Sequence, residues 1–239
     1  MRACHSGREF HMAFPRQTQQ AFLEAHVEAF AYFGGVFETM RYDNLKSAVK
    51  RVLRGRRRIE SDRFIAMRSH YLFESEFCIP GVGGAHEKGG VEGGLGRFRR
   101  NHLVTVPEVA DFTALNRLLL DGCAEDDMRT ITGRQEPIAT QWQREIPRLR
   151  TLPDRPFITA EVDSLGVSSK ALVTLRTNRY SVPVRFAHRR VEYRLHAMRV
   201  EFIADGKVVA VHSRMQGRHG LRVELDHYLE LLWHKPGAL

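Results

Sequence analysis

The apolar positions of this chain follow a helical period, then alternate. Phe22, Ala25, Ala29, Phe30 and Phe33 recur at helical spacing after Thr18, a favoured N-cap residue, and Gly34-Gly35 ends the run. Ahead of it, Arg8 to Phe14 reads as a short strand closed by Pro15. Beyond it, Val36 to Tyr42 reads as a strand with Asp43 at its C-terminal end, a helix is expected from Leu45, and another over Asp62 to Tyr71. Phe77, Cys78 and Ile79, ended by Pro80, make a run short enough for a buried strand. A glycine-dense loop, Gly81 to Gly90, enters a helix near Val91 whose apolar face is Val91, Leu95 and Phe98, and a further helix is expected around Phe112 to Leu120. Strands alternating with helices up to about Cys123 predict an α/β domain over residues 1–124.

From Glu125 to Pro156 the chain is polar and punctuated by Pro137, Pro147, Pro153 and Pro156. It reads as a connector, 125–156, with one short helix near Trp142. Alternation then takes over in Val191, Tyr193 and Leu195, and in Val200 and Phe202. Asp205-Gly206 is a two-residue hairpin signal, with Val208, Val209 and Val211 beyond it. Residues 157–216 therefore read as a small all-β barrel domain. Leu225, Tyr228, Leu229 and Leu232 predict an amphipathic helix, so 217–239 is expected to begin a helical segment.

Charge adds a partner to this picture. Against 28 Asp and Glu stand 37 Lys and Arg, a formal charge of +9 that suggests a polyanion such as DNA. Seven basic residues and no acid lie between Asn44 and Ile59: Lys46, Lys50, Arg51, Arg54, Arg56, Arg57 and Arg58. Such a run repels itself and is tolerated more easily beside phosphates, although a solvated surface loop is the plainer reading. No apolar run reaches the length of a membrane span or a signal peptide, so a cytoplasmic location is expected. The three cysteines are far apart, which argues against both a disulfide framework and a cysteine zinc site.

Several familiar signatures fail. Gly81-x-Gly83 has His86 where a dinucleotide fingerprint needs its third glycine, there is no phosphate-loop lysine motif, and His86-Glu87 lacks the second histidine of a zinc-protease helix. Two carboxylates remain prominent by placement: Asp43 at a strand end, and Glu92 expected in the first turn of a helix. Carboxylates so placed can converge at one edge of a sheet. Phosphodiester chemistry on DNA uses such groups to hold two Mg²⁺ ions about 3.5–4 Å apart. The bland alternatives stay open: Asp43 could cap the helix expected after it, and Glu92 could be a favourable acid at a helix N-terminus.

The stretch Arg41-Tyr-Asp-Asn-Leu-Lys-Ser-Ala-Val49 resembles the second-aspartate motif of IstA-type insertion-sequence transposases, and Gly84 to Asn101, with Lys-Gly-Gly-Val-Glu92, resembles their glutamate helix. Phe14-Pro-Arg-Gln-Thr18, Asn178-Arg-Tyr-Ser-Val-Pro183 and Leu225-Asp-His-Tyr-Leu-Glu230 are also similar to that family. The resemblance implies a ribonuclease-H-like integrase core over 1–124 followed by the small β-barrel. It implies Mg²⁺-dependent (or Mn²⁺-dependent) strand transfer, with Asp43 and Glu92 as catalytic metal ligands. It also implies a homo-oligomer on DNA near the nucleoid and an AAA+ helper ATPase of the IstB kind. Lys88, Arg97, Arg99 and Arg100 around Glu92, and Arg189 and Arg190 in the β-domain, join the basic run as expected phosphate contacts. No aspartate precedes Asp43, so the family's first catalytic aspartate and its strand are expected to be missing and the chain truncated at both ends. Glu9 is the only nearby acid and no substitute. An impaired transposase core is the leading expectation. A non-catalytic DNA-binding remnant is the alternative, and a ribonuclease-H-type nuclease a third.

Overall fold

A computed structural model describes residues 1–43, 45, 47–52, 57–78 and 85–233. The chain divides into two compact units, Met1–Phe157 and Ile158–Leu239.

In the first unit, helix α1 (Gln19–Phe33) starts where the Thr18 side chain accepts from the Ala21 N–H, and ends at Gly34, whose φ of +72° suits glycine. Its buried Leu23 and Phe30 meet Val36, Phe64, Met67, Tyr71, Phe73 and Phe77 in one cluster. Strand β1 (Thr39–Tyr42) buries Met40 and Tyr42 and exposes Thr39 and Arg41, the alternation of a half-buried strand. It pairs in parallel with β4 (Glu74–Phe77), from Thr39↔Glu74 to Tyr42↔Phe77. The crossover between them carries an antiparallel hairpin, β2 (Val49–Val52) with β3 (Arg58–Glu60), and helix α2 (Asp62–Tyr71), capped by Ser61. Helices α3 (Ala85–His102) and α4 (Phe112–Asp126) meet where Gly122 leaves room: a Cβ there would sit 3.0 Å from the His102 ring and 3.1 Å from Phe98 Cζ. Helix α5 (Ile138–Glu145) buries Trp142 with Ala3, Phe10, Ala29 and Phe33.

Four sequence expectations need correction here. Arg8 to Phe14 is not a strand; it contributes one isolated bridge, Arg2↔Glu9. The backbone of Ala13 is satisfied by a side chain instead: its N–H donates to Asn116 Oδ1 at 2.7 Å and its carbonyl accepts from Asn116 Nδ2. No helix starts at Leu45. The segment turns and enters β2, since a helix would stack Lys46, Lys50 and Arg54 at like-charge i, i+4 positions. Val36 leaves the strand before β1 and bridges Arg150. The stretch 125–156 is folded into the first unit rather than linking it to something else, because Ile138 and Trp142 are buried in it.

The second unit holds a four-stranded sheet in the order β10 (Lys207–Ser213), β9 (Arg199–Ala204), β8 (Arg190–Leu195), β5 (Glu161–Gly166). A three-stranded sheet runs β11 (Leu221–Arg222), β7 (Asn178–Ser181), β6 (Leu172–Leu175). Both sheets feed one core, in which Val173 and Tyr180 meet Val191, Val200 and Phe202. Asp205 and Gly206 both take positive φ (+51° and +74°) between β9 and β10, the two-residue turn the sequence predicts. Leu225–Tyr228 is a 3-10 turn and only Leu229–Trp233 is α-helical (α6), with Leu225 exposed, so the expected amphipathic helix is shorter than its apolar pattern.

Candidate functional site

Asp43 follows β1 directly and is exposed. The strand end that carries it is pinned from within. The Tyr42 ring stacks on His26 with centroids 5.5 Å apart, and its hydroxyl lies 3.1 Å from His26 Nε2. His26 Nδ1 lies 2.7 Å from the Phe22 carbonyl, which can only accept, so Nδ1 carries the proton and Nε2 accepts from Tyr42. Burial drives the His26 pKa down to about 4, opposed by the bond to Phe22, and the ring is neutral at pH 7. Burial, helped by the Glu60 charge, holds the Tyr42 phenol well above its usual range, so it remains a donor.

Across the sheet, the Cys78 N–H donates to the Tyr42 carbonyl at 2.9 Å, so the chain leaving β4 runs beside Asp43. Arg58 reaches the same edge from β3. Its Nη2 donates to the Cys78 carbonyl at 2.8 Å, and its guanidinium lies 5.7 Å from the centre of the Phe77 ring. A carboxylate and a guanidinium are thus held by one strand edge. Among the described residues no helix lies between Asp43 and β2, so its reading as a helix cap falls away.

Glu92 is the eighth residue of α3, not a first-turn residue. A helix N-terminal dipole acts mainly over the first turn, so the first-turn alternative is removed as well. The Glu92 and Lys88 side chains, and Lys46, Arg54 and Arg56 entirely, lie outside the described residues. Among the described residues no three His, Cys, Asp or Glu side chains are grouped to hold a metal ion.

Glu9 has a different role from a metal ligand. It is buried, 3.1 Å from both Arg97 Nη2 and His11 Nε2, and 3.7 Å from Arg2. Burial pushes its carboxyl up, but the His11 hydrogen bond and the charges of Arg97, His11 and Arg2 outweigh it and hold the pKa below 4.5. Arg97 also lies 2.7 Å from Asp126, and its side chain is 21% exposed. Its charge is met within the fold by Glu9 and Asp126. Lys50, Arg51, Arg57, Arg99 and Arg100 are exposed, Lys50 pairing with Asp62 at 2.7 Å. In the second unit, exposed Arg189 lies 3.1 Å from Asp205, and exposed Arg190 donates to the Ser164 carbonyl and hydroxyl. The sequence reading passed over His26 and the basic segment 214–222; the lack of acids between Asp205 and Glu224 is the signal that would have found the latter.

Residues 152–224 match the family described as "Mu transposase, C-terminal domain". Over 233 residues the chain is 38% identical to a transposase of Aminobacter aminovorans, covering 95% of this chain and 45% of that protein. This chain belongs to the insertion-sequence transposases. Other members of the family include the transposase for IS1326/IS1353 of Pseudomonas aeruginosa, 33% identical over 95% of this chain and 45% of its own length. The transposase for IS21 of Pseudomonas aeruginosa is 30% identical over 94% of this chain and 57% of its own length. The chain therefore spans about half the length of the curated transposases it matches. Among the described residues no helix is long and apolar enough to cross a membrane.

Proposed function

We propose that this chain carries part of the DNA strand-transfer centre of an IstA-type transposase. In this reading the first unit is a partial ribonuclease-H-like integrase core and the second a β-barrel. The observation that carries it is Asp43, exposed at the C-terminal end of a strand paired in parallel, within the motif shared with the family. Asp43 and Glu92 would be two of the carboxylates that hold Mg²⁺. Asp43 suits that task as an exposed hard-oxygen donor, whereas Glu9 is buried beside Arg97 and His11. When bound, Mg²⁺ would activate an attacking oxygen and stabilise the leaving one. The chain's own part is to fix Asp43 through the His26–Tyr42 contact and to keep Arg58 at the same strand edge. There Arg58 can meet a phosphate's negative charge.

An IstB-type ATPase helper and self-assembly on the element's ends belong to the same proposal. The test is a chimera in which this chain replaces the matching region of the Aminobacter aminovorans relative, assayed for joining of a supplied DNA end with Mg²⁺. The chimera is expected to join DNA, and Asp43→Asn and Glu92→Gln each to lower the rate at least about 100-fold with thermal stability unchanged. An active Asp43→Asn chimera would refute the assignment.

A further inference from the structure

We infer that the loop between β10 and α6 in the second unit is a preorganised grip for the phosphate backbone of duplex DNA, set in place by Asn178. The inference rests on the transposase reading in one respect, that the polyanion is DNA.

The segment Arg214–Val223 carries Arg214, Arg218 and Arg222 and no acid. Loops of this composition are usually mobile, but the backbone of this one is tied down at nearly every step. The Asn178 amide donates to the carbonyls of Met215 (3.3 Å) and Gly217 (2.9 Å), while its oxygen accepts from the Gly220 N–H (2.9 Å). Asn178 is buried, at 6% exposure, so these three bonds exchange little with water. The Met215 N–H donates to the Tyr180 hydroxyl, the His219 N–H to the Thr177 carbonyl, and the Arg179 N–H to the Gly220 carbonyl. The loop then joins the sheet as β11, in register Leu221↔Arg179 and Arg222↔Tyr180.

One rigid backbone piece therefore presents Arg179, Arg218 and Arg222. All three are exposed, and among the described residues none of them makes an ion pair. Elsewhere in this unit the exposed arginines have partners: Arg176 with Glu161, Arg185 with Glu230, Arg189 with Asp205, Arg199 with Glu201. Unpaired guanidinium groups held on a fixed frame lose little entropy on meeting phosphates and read no sequence. Asn178 is a positioning residue here: it touches the loop, not the DNA.

The test measures binding of the full chain to a fluorescent 25-base-pair duplex by anisotropy, from about 50 to 300 mM salt. Each phosphate contact contributes a slope of about −0.9 in log K against log salt. The double variant Arg218→Ala/Arg222→Ala should flatten the slope by nearly 2, equally for unrelated duplexes. Arg176→Ala/Arg199→Ala removes the same charge from two paired residues and should leave the slope unchanged. Asn178→Asp keeps the acceptor for Gly220 but loses both donors; it should weaken binding and speed amide exchange at Gly217 to His219 while the rest of the second unit stays protected. An unchanged slope in the double variant overturns the inference. So does equal weakening by Arg176→Ala/Arg199→Ala, which would mean net charge alone, or binding of duplex RNA but not DNA. A flattened slope with an inactive chimera would leave the grip standing and remove only the catalytic proposal.

Discussion

The contact that pins the Asp43 strand end makes the first unit sensitive to mild acid through a single residue. His26 is neutral when folded, with a pKa of about 4 against 6.5 when unfolded. Between those values the unfolded chain binds a proton that the folded chain refuses, so stability rises with pH across that range. The contribution is complete above pH 6.5 and is lost as pH falls towards 4. Each pKa unit corresponds to about 1.4 kcal/mol, so the whole interval amounts to roughly 3 kcal/mol, a large part of an ordinary domain's stability. His26→Gln keeps a polar group near Phe22 and Tyr42 but cannot titrate. Urea unfolding followed by Trp142 fluorescence, in a Trp233→Phe background, should show the parent losing about 3 kcal/mol more than His26→Gln between pH 7 and pH 4. The comparison is between slopes, so a lower starting stability of the variant does not affect it. Parallel pH curves would refute the burial argument and the assignment of the Nδ1 proton with it.

Two further outcomes can be checked on the same unit. Gly93→Ala meets nothing within 4 Å and should stabilise α3 by up to about 1 kcal/mol, whereas Gly94→Ala drives its Cβ into the Glu9 carboxylate and should cost about 1–3 kcal/mol, both read by urea unfolding. Arg58→Ala removes the bond to the Cys78 carbonyl and should cost about 1–2 kcal/mol, with faster amide exchange on β2 and β3; unchanged exchange there would mean that Arg58 does not anchor the hairpin.

Local signals carried most of what the sequence revealed. Thr18 and Gly34 bound α1, Asp205-Gly206 turns β9 into β10, and the apolar run ending in Tyr42 places Asp43 at a strand end, all within a few residues of the feature concerned. What stayed hidden depends on distant partners. Arg97 looked like one more cation beside Glu92, because a count of charges cannot reveal that Glu9 and Asp126 enclose it. The β2–β3 hairpin was obscured since its alternation is buried in a basic run. Asn178 belonged to a recognisable motif, but its hydrogen bonds reach residues 215 to 220, too far along the chain for any local pattern.

The contact of Glu9 with Gly94 also limits how the chain can diverge. A side chain at 94 requires the Glu9 carboxylate to shift or position 9 to be shortened, and shortening position 9 first leaves the partly buried Arg97 with half its counter-charge. Either order passes through a less stable ancestor. Descendants should therefore keep the acid, the glycine and the arginine together or exchange them as a set, and the interior of this unit should change in steps of several residues while its exposed basic positions drift one at a time.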